Sequence, residues 1–383
     1  MRIFLIAGEA SGDKLGAALM AGLKTLTEAE FQGVGGPLMQ AEGMTSLFPM
    51  EELSVMGLAE VLPKYPQLKR RLNQTAQAVI AARPDVLITI DSPDFCLRVA
   101  RRVRAAADVK TVHYVAPSVW AWRPQRARKM ARAIDHVLAL LPFEPPYMQA
   151  AGMSCDFVGH PVVAEPQATG AEVQQFRTRH GIGAAPLLMV LPGSRKGEVA
   201  RLGPVFGDVV RRIAPDRPGL RLVIPTTQAR AAQVRDLVAG WPGAPVVLAP
   251  DGGPGDGDQA EKRAAFAAAD WALAASGTVS LELAAAGTPM VIAYDMNRFS
   301  RAIIARMLRV DTLTLVNLVS ETRAVPEFLG RDCTPEKIAP VLADLMENPD
   351  TQTEAMRITM DRLGRGGEAP GLRAARAVLK LFL

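Results

Sequence analysis

Cysteine, aromatic residues and long apolar runs are all scarce in this 383-residue sequence. Its three cysteines, Cys96, Cys155 and Cys333, lie far apart without a CxxC pair, which excludes a disulfide framework and a cysteine zinc site and favours a reducing cytoplasm. No apolar run reaches the roughly 20 residues of a membrane-spanning helix, and Met1–Ile6 is too short for the core of a signal peptide. We therefore expect a cytoplasmic chain that is soluble or peripheral on a membrane.

Two common nucleotide-binding fingerprints are also missing. The glycines of Gly33–Gly36 do not open a helix as GxGxxG, and GxxxxGK[ST] does not occur, which argues against a dinucleotide-dependent dehydrogenase and a P-loop NTPase. The segment Asp251–Asp258, DGGPGDGD, lacks the spaced ligands and closing glutamate of an EF-hand, so it favours a surface loop over a calcium site. We expect neither a metal ion nor a cofactor.

Positive charge is abundant but unevenly distributed. Residues 64–132 carry fifteen Lys and Arg against four Asp and Glu, whereas residues 1–63 carry three against eight. Such a basic block predicts an anionic partner, which is phosphate, acidic lipid or nucleic acid. For the four arginines between positions 98 and 104, a solvated helix face is the alternative interpretation.

Short apolar runs alternate with helical patterns along the chain. This rhythm is typical of doubly wound parallel sheets, and it is interrupted at 160–170 by HPVVAEPQATG, which we interpret as a linker between two α/β domains that meet at a cleft. Because ligands of such sheets bind beyond the carboxyl ends of the strands, loops after strands hold the candidate site residues. The predicted strands are Arg2–Ala7, Val86–Ile90, Thr111–Val115, His136–Leu140, Leu187–Leu191, Arg221–Ile224, Val246–Leu248, Trp271–Ala274 and Met290–Ala293.

Two strand-to-helix turns in the second half are candidates for binding a nucleotide diphosphate. In LPGSR, Gly193 and Ser194 allow a tight turn before a helix start that attracts phosphate, and Arg195 adds a forked cation. In ASGTVSLE, a second turn is followed by a glutamate one helical turn later, suited to a ribose diol. Either turn alone is also an ordinary helix start, but two in one domain favour nucleotide binding. The second turn and its glutamate comprise Ser276, Gly277, Thr278 and Glu282.

Carboxylates follow two predicted strands in the first half. In GEASGD, Glu9 precedes the helix and faces a ligand more easily than Ser11 or Asp13, which favour an N-cap role. In ITIDSPDF, Asp91 directly follows a buried strand. There it is either a general base for a substrate hydroxyl or a helix-capping and loop residue.

Basic and apolar side chains are mixed in two segments that we interpret as acceptor- or membrane-facing. Met56–Leu72 combines apolar and cationic residues suited to an anionic bilayer surface, although an amphipathic helix packed on a sheet is the alternative. HYVAPSVWAWR adds tryptophans that contact sugar, lipid or core, and nucleic-acid binders combine similar residues. The candidates are Met56, Val61, Leu62, Lys69, Arg70, Arg71, Trp120 and Arg123.

Taken together, these motifs resemble the lipid-A-disaccharide synthase family of inverting glycosyltransferases. HYVAPSVWAWR and MEELSVMG are its most specific segments, and the similarity extends along nearly the whole chain. The motifs occur in the order GEASGD, GVGGPLMQAEG, MEELSVMGLAEVLP, DSPDF, HYVAPSVWAWR, LPFE, FVGHP, LPGSR, ASGTVSLE, GTPMVIAY and LVNLV.

The resemblance implies a GT-B fold of two Rossmann-like domains facing a central cleft. Residues 1–165 would face acceptor and membrane, residues 166–350 would bind the UDP-sugar donor, and residues 351–383 would cross back to the first domain. It further implies metal-independent transfer of 2,3-diacylglucosamine from its UDP conjugate to the 6-hydroxyl of 2,3-diacylglucosamine 1-phosphate. The products would be UDP and a β-1,6-linked tetraacyl disaccharide 1-phosphate, formed at the inner-membrane surface without a nucleic-acid partner.

Residue roles follow from the same resemblance. Asp91 is the candidate base, Glu9 lies beside the reacting centre, and Asn317 in LVNLV joins the residues of the two turns in holding UDP. The rival hypotheses are another GT-B transferase that uses UDP-N-acetylglucosamine, a UDP-sugar epimerase, and a non-catalytic protein that binds anionic lipid or RNA. The last would leave LPGSR and ASGTVSLE unexplained.

Overall fold

The structure is a computed structural model that describes residues 1–53, 58–122, 124–250, 257–296 and 310–382, with only the helical backbone described for 58–62. The predicted membrane residue Met56, the loop 251–256 and Arg123 therefore lie outside the described residues.

Thirteen strands of the described chain form two parallel sheets. The strands are β1 (Arg2–Ala7), β2 (Glu30–Val34), β3 (Thr45–Ser46), β4 (Val86–Ile90), β5 (Lys110–Tyr114), β6 (His136–Ala139), β7 (Ser154–Phe157), β8 (Leu187–Leu191), β9 (Arg221–Pro225), β10 (Val246–Leu248), β11 (Trp271–Ala275), β12 (Met290–Tyr294) and β13 (Glu327–Leu329). The first sheet has the order β3-β2-β1-β4-β5-β6-β7, and the second has the order β10-β9-β8-β11-β12-β13.

Helices connect successive strands, as parallel pairing requires, and further helices follow the last described strand, β13. They are α1 (Ala10–Leu26), α2 (Pro37–Ala41), α3 (Leu58–Ala82), α4 (Pro93–Ala106), α5 (Gln125–Met130), α6 (Pro145–Gln149), α7 (Gly170–Arg179), α8 (Lys196–Ile213), α9 (Ala231–Val238), α10 (Gly257–Ala268), α11 (Val279–Ala286), α12 (Leu315–Ser320), α13 (Pro335–Glu347), α14 (Thr353–Leu363) and α15 (Pro370–Lys380). No described helix is long and apolar enough to span a bilayer.

The chain divides into two compact units. One comprises Met1–Ala164 together with Leu363–Leu383, and the other comprises Glu165–Arg362. The returning segment therefore starts at Leu363, whereas the sequence placed it at residue 351. It docks α15 on α1 so closely that a Cβ on Gly371 would lie 2.5 Å from the carbonyl oxygen of Ala18. Glycine at this position permits the two backbones to approach.

Apolar side chains cover both sheets. The central strands β1, β4, β8 and β11 are almost continuously apolar and buried, as expected for strands with helices on both faces. In the first unit, one cluster around Phe4, Leu87 and Val137 packs on one face of the sheet, and another around Leu5, Ile88 and Leu19 packs on the other. A third cluster around Phe206, Leu222 and Leu342 fills the second unit.

Candidate active site

The strand order of each sheet reverses between two central strands. In the first sheet these strands are β1 and β4, and in the second they are β8 and β11. Ligands of open parallel sheets bind beyond the carboxyl ends of the strands at this switch point. Glu9 and Asp91 follow the first pair of strands, whereas the LPGSR and ASGTVSLE turns follow the second pair. Each unit thus carries its predicted residues where its topology places a ligand site.

Asp91 lies in an unusual backbone conformation. Its φ is +50°, that of Ser92 is +42°, and Val115 at the end of the neighbouring strand has φ +84°. The Asp91 N–H donates to the carbonyl of Tyr114 at 3.0 Å, which joins the two strained segments. Left-handed conformations cost energy for residues other than glycine, and such outliers cluster at functional sites. No described side chain pairs with the half-buried Asp91 carboxylate.

Glu9 lies next to this segment at the N-cap of α1, with extended backbone. The chain around it is tightly packed, because a Cβ on the adjacent Gly8 would lie 2.6 Å from the Ser92 hydroxyl oxygen. Glu9 is half-buried. The structure therefore brings the loops of the two predicted carboxylates into contact.

Asp13 has a different task from the predicted N-cap of its own helix. Ser11 and Asp13 both lie inside α1. The Asp13 carboxylate is buried and accepts hydrogen bonds from the backbone N–H groups of Gly36, Leu38 and Met39 at 2.9–3.0 Å. The N-cap prediction was wrong because the side chain satisfies the orphan donors at the start of α2 instead.

The predicted acceptor and membrane residues separate into exposed and internal groups. Lys69 and Arg70 are exposed on α3. Arg71 instead forms a forked ion pair with Glu52 at 2.6 and 2.7 Å and lies 4.5 Å from the Phe48 ring centroid. Trp120 is only 7% exposed and packs edge-on against Phe143. Arg71 and Trp120 thus make contacts within the protein, which supports the alternative that Trp120 is a core residue. The side chains of Val61 and Leu62 lie outside the described residues.

A pocket of about 440 Å³ lies in the second unit, beyond the carboxyl ends of its strands. Most predicted donor residues line it, together with Thr226, Thr227 and Gln228 after β9 and Leu248–Pro250 at and after β10. Its size is that of an ordinary small-molecule site. The predicted residues in its wall are Gly193, Ser194, Ser276, Gly277, Thr278 and Glu282.

The LPGSR turn is closed by an internal carboxylate. Glu198 accepts from the backbone N–H groups of Ser194 and Arg195, each at 3.3 Å, and from the Arg195 guanidinium at 2.9 Å. Gly193 has φ +110°, and a Cβ there would lie 2.7 Å from Glu198. Glu198 is a functional candidate that was not predicted from the sequence, although its position three residues after the N-cap is the spacing of a capping box.

The ASGTVSLE turn leads directly into α11. Its Gly277 has φ +157°, Thr278 is the N-cap residue, and Glu282 lies in the first helical turn. The Glu282 carboxylate pairs with the ammonium group of Lys262 at 2.5 Å. Lys262 also lines the pocket, and the sequence contains no motif that would have identified it.

Asn317 is placed for a structural role. Its side chain is 1% exposed, donates to the carbonyl of Val325 at 2.8 Å and accepts from the Val325 N–H at 3.0 Å. Both polar ends of the amide are therefore occupied by backbone. This geometry does not favour the UDP contact that the resemblance implies for Asn317.

His113 and Glu144 are among the buried titratable groups of the first unit. His113 contacts the Thr89 hydroxyl at 2.7 Å, and burial lowers its pKa to about 4, so the ring is neutral at pH 7. Burial raises the pKa of Glu144 to about 7, while its carboxylate accepts from the Leu141 N–H. Within the described ranges, no group of three or more His, Cys, Asp or Glu residues is arranged to hold a metal ion.

Comparison with known proteins identifies the family. Residues 3–377 match the Lipid-A-disaccharide synthetase family. A curated lipid-A-disaccharide synthase of Ruegeria pomeroyi is 66% identical over 380 residues, which cover 99% of this chain and 95% of that protein. The chain belongs to the lipid-A-disaccharide synthase family. The synthase of Rhodospirillum centenum is 49% identical over 387 residues, covering 99% of this chain and 94% of that one.

Solved structures support the fold of this chain. The S. aureus MnaA–UDP co-structure has a TM-score of 0.68 at 12% identity and covers 100% of this chain and 96% of that one. The UDP-GlcNAc 2-epimerase of Neisseria meningitidis bound to UDP-GlcNAc has a TM-score of 0.66 at 11% identity, with coverage of 100% and 99%. The expected GT-B fold of two parallel-sheet α/β domains is confirmed.

The family membership also establishes the reaction. The enzyme is a glycosyltransferase of lipid A biosynthesis that takes a sugar-nucleotide donor and a sugar acceptor. It transfers 2,3-diacylglucosamine from the UDP conjugate to the 6-hydroxyl of 2,3-diacylglucosamine 1-phosphate, giving the β-1,6 tetraacyl disaccharide 1-phosphate and UDP.

Proposed function

We propose that Asp91 is the general base of this transfer and that the pocket of the second unit binds the UDP portion of the donor. Asp91 takes the proton of the acceptor 6-hydroxyl while that oxygen attacks the anomeric carbon. The bond from this carbon to the diphosphate breaks, and UDP leaves with the electron pair. Attack opposite the leaving group inverts the anomeric configuration.

One observation carries this proposal: the predicted residues lie at the switch points of both sheets. Asp91 and Glu9 follow the reversing strands of one sheet, and the two turns follow those of the other. Open carboxyl ends of parallel strands are the usual ligand sites of such sheets. The strained backbone at Asp91, Ser92 and Val115 adds support, because such conformations persist where function requires them.

Stabilisation of the departing UDP is assigned to the second unit. Residues of the ASGTVSLE turn line the pocket at the start of α11, and the backbone N–H groups of a helix start favour a diphosphate. Arg195 adds a cation at the edge of the LPGSR turn, held in place by Glu198. Glu282 accepts hydrogen bonds from the ribose hydroxyls. Metal independence remains a prediction.

The test of the base is Asp91→Asn. Asparagine tolerates a left-handed backbone, so the substitution removes the base with little strain. We expect kcat to fall by roughly 10²–10⁴, while calorimetry shows UDP affinity within about twofold of the wild type. Asp94→Asn is the matched control, because Asp94 is exposed three residues away. Near-normal turnover of the Asp91 variant would rule out the base assignment.

The second part of the proposal is peripheral contact with the anionic cytoplasmic surface of the inner membrane. Exposed Lys69 and Arg70 on α3, with the 52% exposed Tyr65 one turn before them, support it. An aromatic side chain inserts among headgroups while cations meet their phosphates. The acceptor 1-phosphate is anionic as well, and a nucleic-acid partner forms no part of the proposal.

Vesicle flotation tests the membrane contact. We expect Lys69→Glu combined with Arg70→Glu to weaken binding to vesicles that contain acidic phospholipid, with little effect on neutral vesicles. Arg71 is left intact because it pairs with Glu52. Lys337→Glu is the control, since Lys337 is an exposed lysine of the second unit. Equal flotation of the double variant and the wild type would contradict the contact.

A further inference from the structure

Lys262 stands out among the residues of the donor pocket because its ammonium group lies beside the carboxylate that is assigned to the ribose. Its Nζ is 2.5 Å from Oε2 of Glu282 and 5.2 Å from the centroid of the Phe266 ring. Lys262 projects from α10, whereas Glu282 lies in the first turn of α11. The ion pair therefore joins two helices across the wall of the pocket.

Stability alone is a weak reason for this pair. The Lys262 side chain is 41% exposed and that of Glu282 is 31% exposed. Ion pairs of such exposure contribute little to folding, because water screens the charges and two long side chains lose freedom. Its position in a ligand pocket suggests a task in binding.

The geometry leaves one carboxylate oxygen available. Lys262 engages Oε2 of Glu282, while no donor of the described residues contacts Oε1. A carboxylate fixed through one oxygen presents the other in a defined direction, which suits the 2′- and 3′-hydroxyls of a ribose. The lysine also offsets a negative charge that would otherwise repel a diphosphate in the same pocket.

We propose that Lys262 is a positioning residue that holds Glu282 for recognition of the ribose diol, so that the pocket selects ribonucleotide donors over 2′-deoxyribonucleotide donors. This inference rests on the proposed donor site. Lys262 acts through Glu282 and not by a contact of its own with the diphosphate.

Calorimetric titration of the full chain with UDP and with 2′-deoxyuridine 5′-diphosphate tests it. We expect the wild type to bind UDP at least roughly tenfold more tightly, because the deoxy compound leaves a charged acceptor without its hydroxyl. In Lys262→Met, the affinity for UDP falls more than the affinity for the deoxy compound, so the ratio of the two affinities narrows to about threefold or less. Lys262→Arg restores most of the preference for UDP over the deoxy compound.

Lys337→Met is the matched control, because Lys337 also forms an exposed ion pair, with Asp332, in the same unit. It should leave both affinities unchanged. This inference, but not the proposed donor site, would be overturned if Lys262→Met lost affinity equally for both nucleotides, so that the ratio of the two affinities stayed unchanged. It would also be overturned if the wild type showed no preference for UDP. A wild type that binds neither nucleotide would overturn the proposed donor site itself, so the two failures are distinguishable.

Discussion

Glu198 holds Arg195 in place by accepting a hydrogen bond from its guanidinium at 2.9 Å while also accepting from the Arg195 backbone N–H at 3.3 Å. The Glu198 side chain is 12% exposed, whereas that of Arg195 is 64% exposed. The nearly buried Glu198 carboxylate thus holds both the backbone of the turn and the solvent-facing side chain of Arg195. The turn acquires its shape before any phosphate arrives.

We therefore predict that Glu198→Ala weakens donor binding. Without the carboxylate, the turn loses its acceptor and Arg195 loses its orientation, so kcat/KM for the UDP-sugar should fall about tenfold, mainly through KM. Asp208→Ala removes an exposed partner of Arg211 on the same helix and should change neither constant. Tighter UDP binding in Glu198→Ala would instead mean that Glu198 competes with the diphosphate, which would contradict the positioning role.

Asp13 offers a test of the first unit. Three backbone N–H groups at the start of α2 donate to its buried carboxylate. Asp13→Asn removes the negative charge and turns an amide NH₂ group toward the backbone N–H donors of α2. We therefore expect the free energy of unfolding to fall by about 2 kcal/mol. Urea denaturation measures this loss. Asp108→Asn, at an exposed position of the same unit, should cost less than about 0.5 kcal/mol, and an equally small effect at Asp13 would disprove the role.

The regular elements were the most predictable part of the molecule. The strands Arg2–Ala7, Val86–Ile90 and Leu187–Leu191 have the bounds expected from their apolar runs, and the helix expected after the LPGSR turn starts at Lys196. Buried parallel strands are continuous apolar segments between turn residues, so the pattern along the chain suffices to locate them.

Side-chain partners were much less predictable, because they depend on contacts distant in sequence. Lys262 and Glu282 are twenty positions apart, and only the packing of two helices brings them together. Asn317 and Arg71 have the residue types of ligand contacts, yet the fold gives them the partners Val325 and Glu52. A motif specifies which residue is present, whereas its neighbours decide which task remains for it.

Glu144 predicts a pH dependence of stability. Burial raises its pKa from the ordinary glutamate value of 4.5 to about 7, so the folded state holds a proton that the unfolded state releases. Stability from this group is fully present below pH 4.5 and is lost as the pH rises through about 7, by roughly 3 kcal/mol at most. Glu144→Gln should flatten the unfolding free energy between pH 5 and 7. A slope equal to that of the wild type would assign the dependence to other groups.

Val115 allows the backbone strain beside Asp91 to be measured. Its φ of +84° is unfavourable for any residue with a Cβ and most unfavourable for a β-branched one. Both Val115→Ala and Val115→Gly lack the packing of the valine side chain. The difference between their free energies of unfolding therefore reports on the backbone conformation. We expect the glycine variant to be more stable by about 1 kcal/mol in urea denaturation. The same pair at Val112, which lies within β5, should show the reverse order, because glycine weakens an ordinary strand. Greater stability of alanine at both positions would show that Val115 stores no such strain.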